Sequence, residues 1–138
     1  NIQQREPVLR VLTGEGYYVD RDGRVMPLSS KFTSRVVVAT GDINKKFACE
    51  KLGPFAMKLK NEPFWDAYIE QLVVRSNEDV VMIPKVGDFR IVLGKVDDCD
   101  ARLEKLILFL KDGITKKGWN RYKEINLKFD NQVVCVRK

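Results

Sequence analysis

Polar and apolar residues alternate most cleanly near the C-terminus. Ile125, Leu127 and Phe129 interleave with Asn126, Lys128 and Asp130, the period-two pattern of a strand with one buried face. Asp130-Asn131 brings turn chemistry, and Val133-Val134-Cys135-Val136 follows, apolar on both faces of a second strand. A strand of that kind belongs inside a sheet or at an edge that something covers, because a bare apolar edge invites pairing with another chain. The alternatives separate a self-contained domain from one that recruits a foreign strand.

Upstream, Val8 to Leu12 is a short apolar run closed by Thr13-Gly14-Glu15-Gly16. Tyr17-Tyr18-Val19 and Arg24-Val25-Met26 flank Asp20-Arg21-Asp22-Gly23, a hairpin signal because Asp-Gly accepts tight-turn backbone angles. The β-branched run Arg35 to Ala39 predicts a further strand, stopped by Thr40-Gly41-Asp42. Asn44 is placed to cap a helix carrying Phe47, Ala48, Leu52, Phe55, Ala56 and Leu59, with a break or kink at Gly53-Pro54. Glu62-Pro63 opens a short helix in which Phe64, Tyr68 and Leu72 share one side, beside Trp65 and Ile69; this aromatic cluster reads as core. Val80 to Ile83 and Phe89 to Leu93 predict a second hairpin. Leu103, Leu106, Ile107, Leu110 and Ile114 form one stripe of a long helix that Gly118 would stop. These elements predict an α+β fold, an antiparallel β-sheet with helices packed on one face.

The chain of 138 residues fits one compact domain, and no window reaches the apolar length of a membrane span. It opens without an initiator Met or an apolar leader, which is expected of a piece of a longer protein. The net charge is +6, and from Lys111 onward eight Lys or Arg face three Asp or Glu. A basic end of this kind suits nucleic acid, anionic lipid or an acidic protein surface, and equally an ordinary solvated face.

Candidate chemistry is sparse. With no histidine, the commonest neutral-pH base and metal ligand is missing, and Cys–His or Ser–His pairs cannot form. Cys49, Cys99 and Cys135 are too scattered for a disulfide framework or zinc knuckle and read as free thiols in apolar surroundings. Asp97-Asp98-Cys99-Asp100 stands at a helix start, where carboxylates are stabilised without any metal, and its spacing fails the calcium-loop pattern. Gly14-Glu15-Gly16 lacks the third glycine of a dinucleotide loop. No catalytic, cofactor or metal residues are assigned, and the expectation is a non-enzyme.

Three segments in order resemble the extracytoplasmic part of the bacterial cell-division family FtsQ/DivIB, in its Bacteroidetes-type version. They are Arg5-Glu6-Pro7-Val8 with Tyr17 to Leu28; Arg90 to Lys95 with Arg102-Leu103 and the helix behind them; and Ile125 to Val134. The resemblance implies a β domain over residues 12–138, with residues 1–11 the end of a POTRA domain or a linker. It implies a single-pass inner-membrane protein whose upstream membrane helix is absent here, with this domain on the periplasmic side. It further implies a divisome scaffold that recruits FtsB/DivIC-like and FtsL-like partners to the septum by strand addition. Matched to the family's motifs, the partner-binding residues are Lys95, Lys128, Phe129, Asn131, Gln132, Val133, Val134, Cys135 and Val136. Phe129 stands where the family has Tyr, and Lys95 where it often has Arg, losing a hydroxyl and a bidentate fork. Rival readings are another periplasmic POTRA-like adaptor, a basic nucleic-acid-binding module, and an unrecognised hydrolase.

Overall fold

The computed structural model describes residues 7–14, 16–27, 36–85, 89–97, 99–110, 122–128 and 134–137. Within them nine strands form one sheet: β1 (Pro7–Val11), β2 (Tyr17–Asp20), β3 (Val25–Pro27), β4 (Val37–Gly41), β5 (Ile69–Arg75), β6 (Asp79–Pro84), β7 (Arg90–Gly94), β8 (Tyr122–Asn126) and β9 (Val134–Arg137). Their spatial order is β3-β2-β1-β4-β5-β6-β7-β8-β9. The β1–β4, β4–β5 and β7–β8 pairs are parallel and the other five antiparallel. The α+β class holds, but the sheet is mixed, not wholly antiparallel. Pro7–Val11, expected at the end of a preceding domain or linker, lies between β2 and β4 in this same sheet.

Helices bridge two of the parallel pairs. Between β4 and β5 run α1 (Lys45–Phe47), a π turn (Ala48–Leu52), α2 (Gly53–Asn61) and α3 (Pro63–Tyr68); α4 (Asp100–Phe109) follows β7 on the way to β8. Strands β4 and β7 point the same way, and both crossovers step in the same direction along the sheet. Right-handed crossovers therefore put both helical layers on one face. The core agrees: Leu72, Val74, Val80, Met82, Ile91, Leu93 and Ile125 meet Leu52, Leu59, Leu103 and Leu106 in one cluster.

Local chemistry explains the helices. Asn44 caps α1, its Oδ1 accepting the Phe47 N–H at 2.7 Å. The break expected at Gly53-Pro54 takes the form of the π turn, in which the Gly53 N–H donates to Ala48 O, five residues back. Pro54 has no N–H for an α-helical bond, so the wider turn absorbs the mismatch and α2 restarts with proline in its first turn. At Gly53 a Cβ would meet Val19 Cγ1 at 3.0 Å, so the bare backbone lets this helix lie directly on β2.

The residues from Ile69 to Arg75 correct the sequence reading, which carried a helix through Leu72. They form β5, between β4 and β6. A bulge between Ile69 and Gln71 turns Ile69 to the same buried side as Leu72. The resulting three-residue spacing imitates a helix. The first hairpin stands as expected, with Tyr18 opposite Met26, and Asp20 Oδ1 accepts the Asp22 and Arg24 N–H groups at 2.9 and 2.8 Å. The β6–β7 hairpin is likewise present. The long-helix stripe is observed through Leu110, and its predicted end at Gly118 lies outside the described residues.

At the end of β4 the backbone of Gly41 has φ +109°, and an added Cβ would sit 2.2 Å from Val74 O, the acceptor of the Asp42 N–H. Gly41→Ala is expected to lower stability by more than about 2 kcal/mol, read as a lower urea midpoint at unchanged slope.

Candidate partner-binding edge

Among the described residues, strand β9 ends the sheet. It pairs antiparallel with β8, Ile125 facing Cys135, Asn126 facing Val134 and Glu124 facing Val136. Ile125 belongs to the core, and Cys135 packs against that core from the same face. Val134 and Val136 therefore look out on the opposite face, both half-buried, beside Asn126 and Glu124. One strand further in, Arg90 Nε lies 3.3 Å from Glu124 Oε1, its register partner on β8. The two-sided apolar character read from sequence is thus one side core and one side half-exposed.

A basic corner adjoins this edge where β7 and β8 end. Gly94 takes φ +89°, and its next residue, Lys95, is exposed. From α4, Arg102 reaches back to three carbonyl oxygens of that loop: Nη1 to Leu93 O at 2.5 Å, and Nη2 to Lys95 O at 2.6 Å and Asp97 O at 2.8 Å. A planar guanidinium spans them all; an ammonium presents no such fork. The Lys128 side chain also passes over Gly94. A Cβ there would meet Lys128 Cγ at 3.0 Å and Arg102 Nη1 at 3.3 Å. Beyond Gly94, Lys128 Nζ reaches Asp79 Oδ1 at 3.6 Å, while Arg75 Nε donates to Asp79 Oδ2 at 2.9 Å. One lysine thus straps β8 to β6 across β7. Its own backbone is held by an Asx turn, Lys128 N–H to Asn126 Oδ1 at 2.9 Å.

Of the residues expected to bind a partner, Lys128 lies against Gly94, Lys95 follows that glycine in the chain, and Val134, Cys135 and Val136 lie along β9. Phe129, Asn131, Gln132 and Val133 lie outside the described residues. Sequence reasoning missed Asp79 and the task of Arg102. For Arg102 a signal existed, its place behind Leu-Gly-Lys in the second family-like segment; for Asp79 there was none, because only the fold brings it to Lys128.

The acidic run at the start of α4 is dispersed over lysines of the first helical layer. Asp97 pairs with Lys51 at 2.6 Å and Asp100 with Lys58 at 2.5 Å, while Asp98 lies outside the described residues. None of the three cysteines is in a disulfide; Cys99 is fully buried, and Cys49 and Cys135 partly so. Burial raises all three thiol pKa values, helped at Cys49 by the nearby Asp20 and Glu50 carboxylates. Elsewhere a cleft of about 590 Å³ opens between β1, α2, α3 and the start of β5, floored by Val8, Leu59, Trp65 and Ile69.

The sequence profile of the family described as FtsQ/DivIB, C-terminal related, matches residues 6–136. The chain belongs to this family. Members of the FtsQ/DivIB family are associated with cell division, as non-enzymatic scaffolds that are usually extracytoplasmic. No curated protein matches the chain. Among the described residues no helix is long and apolar enough to cross a membrane. The Leu-Gly-Lys and Arg-Leu motifs that carry the FtsQ/DivIB resemblance form, in three dimensions, one carbonyl cage closed by Arg102.

Arg102→Lys is expected to cost about 1–2 kcal/mol in urea unfolding, since one ammonium cannot serve three diverging carbonyls. The raised thiols predict a pH dependence as well. A group that holds its proton more tightly when folded gives stability that is complete below its unfolded pKa and is lost as pH rises through the folded one. The urea midpoint should therefore fall as pH passes upward through the ordinary thiol range, and Cys99→Ala should flatten part of that slope.

Proposed function

We propose that this domain is a non-enzymatic scaffold of the division machinery, on the periplasmic side of an inner membrane to which the full-length protein is anchored. It recruits FtsB/DivIC-like and, through them, FtsL-like partners by adding an extended partner segment to β9. The observation carrying this reading is the place of β9 as the last strand in the sheet order, with half-buried valines along it. Strand addition draws affinity from main-chain hydrogen bonds and specificity from side-chain contacts, and such an edge supplies both. Lys95 and Lys128 at the adjoining corner favour an acidic segment. Membership of a division-associated family supports the same reading.

Replacing Val134 with Pro removes one backbone donor and rigidifies the strand. Pull-down of the DivIC-type extracytoplasmic domain should be lost in Val134→Pro, while far-UV circular dichroism and the thermal midpoint stay close to the parent's. Full retention of the partner by a folded variant would place the interface elsewhere.

A further inference from the structure

We propose that Asp79 is an internal competitor for the basic corner, a carboxylate of the chain's own that occupies Lys128 and limits how strongly the β9 edge draws an acidic, extended peptide. This rests on the reading of β9 as a docking edge. Asp79 is fixed: Arg75 donates to Oδ2 through Nε at 2.9 Å and Nη2 at 2.5 Å, and the side chain is only 16% exposed. Its Oδ1 is buried without a hydrogen bond among the described residues, facing Lys128 Nζ at 3.6 Å. The Lys128 side chain remains 47% exposed. An ammonium carries three donors, so a second carboxylate arriving from solvent meets Lys128 without displacing Asp79.

What the newcomer does meet is the opposing charge of Asp79. Arg75 and Lys128 both meet that single carboxylate, so the corner keeps a positive surplus that selects acidic ligands, reduced by one unit. The strap adds a second effect. Held across Gly94 by Asp79, Lys128 is turned toward β6 rather than outward along β9. Release of that pull lets the ammonium follow a ligand on the edge.

The test uses fluorescence anisotropy with a labelled peptide of alternating valine and glutamate, and its glutamine counterpart, on the 138-residue chain. Asp79→Asn keeps one oxygen for Arg75 and removes the charge. It should bind the glutamate peptide about threefold more tightly at low salt, with the gain vanishing at high salt and no gain for the glutamine peptide. Lys128→Gln alone should weaken only the glutamate peptide, and in that background Asp79→Asn should give a smaller gain. Equal or weaker binding by Asp79→Asn overturns the proposal, as does a gain that survives undiminished in Lys128→Gln. A gain seen with a single-stranded oligonucleotide but not with the peptide also overturns it. Val134→Pro separates the two layers of argument: it should abolish binding of both peptides, and if it does not, the docking-edge reading fails. If it does abolish binding while Asp79→Asn changes nothing, only the role of Asp79 fails.

Discussion

Burial of one face of a single wide sheet governs this fold. Leu72, Met82, Ile91, Leu93 and Ile125 lie at or near zero exposure, and each needs a helical side chain above it. Two crossovers of the same hand and direction deliver those helices to the same side. The opposite face is held differently. Val81 and Val92 are buried there, but Thr40 and Gln71 share a 3.1 Å hydrogen bond, and Arg90 and Glu124 form an ion pair. Core and edge are thus separate problems in this molecule. The last strand contributes Cys135 to the first and Val134 and Val136 to the second.

The corner beside that strand shows how a weak sequence motif becomes a rigid feature. Gly94 is approached by both Lys128 and Arg102 where a Cβ would stand, and it takes a backbone angle that L side chains rarely adopt. Arg102 donates to three carbonyls of the chain reversal, and Lys128 reaches over β7 to Asp79 on β6. Residues that the family resemblance marks for binding therefore carry structural duty too. Exposed ion pairs are usually worth little, yet the low exposure of Asp79 makes its contact with Lys128 more than a surface accident.

Much of this architecture was legible in the chain because local chemistry and tertiary structure agree. Asp20 to Gly23 makes the turn that Asp-Gly announces, Asn44 caps its helix, and Gly53-Pro54 disturbs the helical path where proline must. The failures have equally local causes. A bulge at Ile69 to Gln71 put Ile69 and Leu72 on one side and gave a strand the spacing of a helix. With β5 hidden, the strand–helix–strand order from β4 to β5 was lost, and that parallel pair with it. At the site, the apolar terminal strand and the basic Lys95 and Lys128 could be read. Asp79 could not, for it sits far from Lys128 in sequence, and neither residue type predicts the other.

Among the described residues, the two ends of the sheet are unequal. At one end β3 has three residues, of which Val25 and Pro27 are exposed, and Pro27 brings no N–H to the row. At the other, β9 offers a longer run without proline. Growth of this sheet by copies of itself would need both ends to be receptive, and one is chemically blunted. Edge-to-edge self-association through these described strands therefore favours a closed pair at the receptive end over an open fibre.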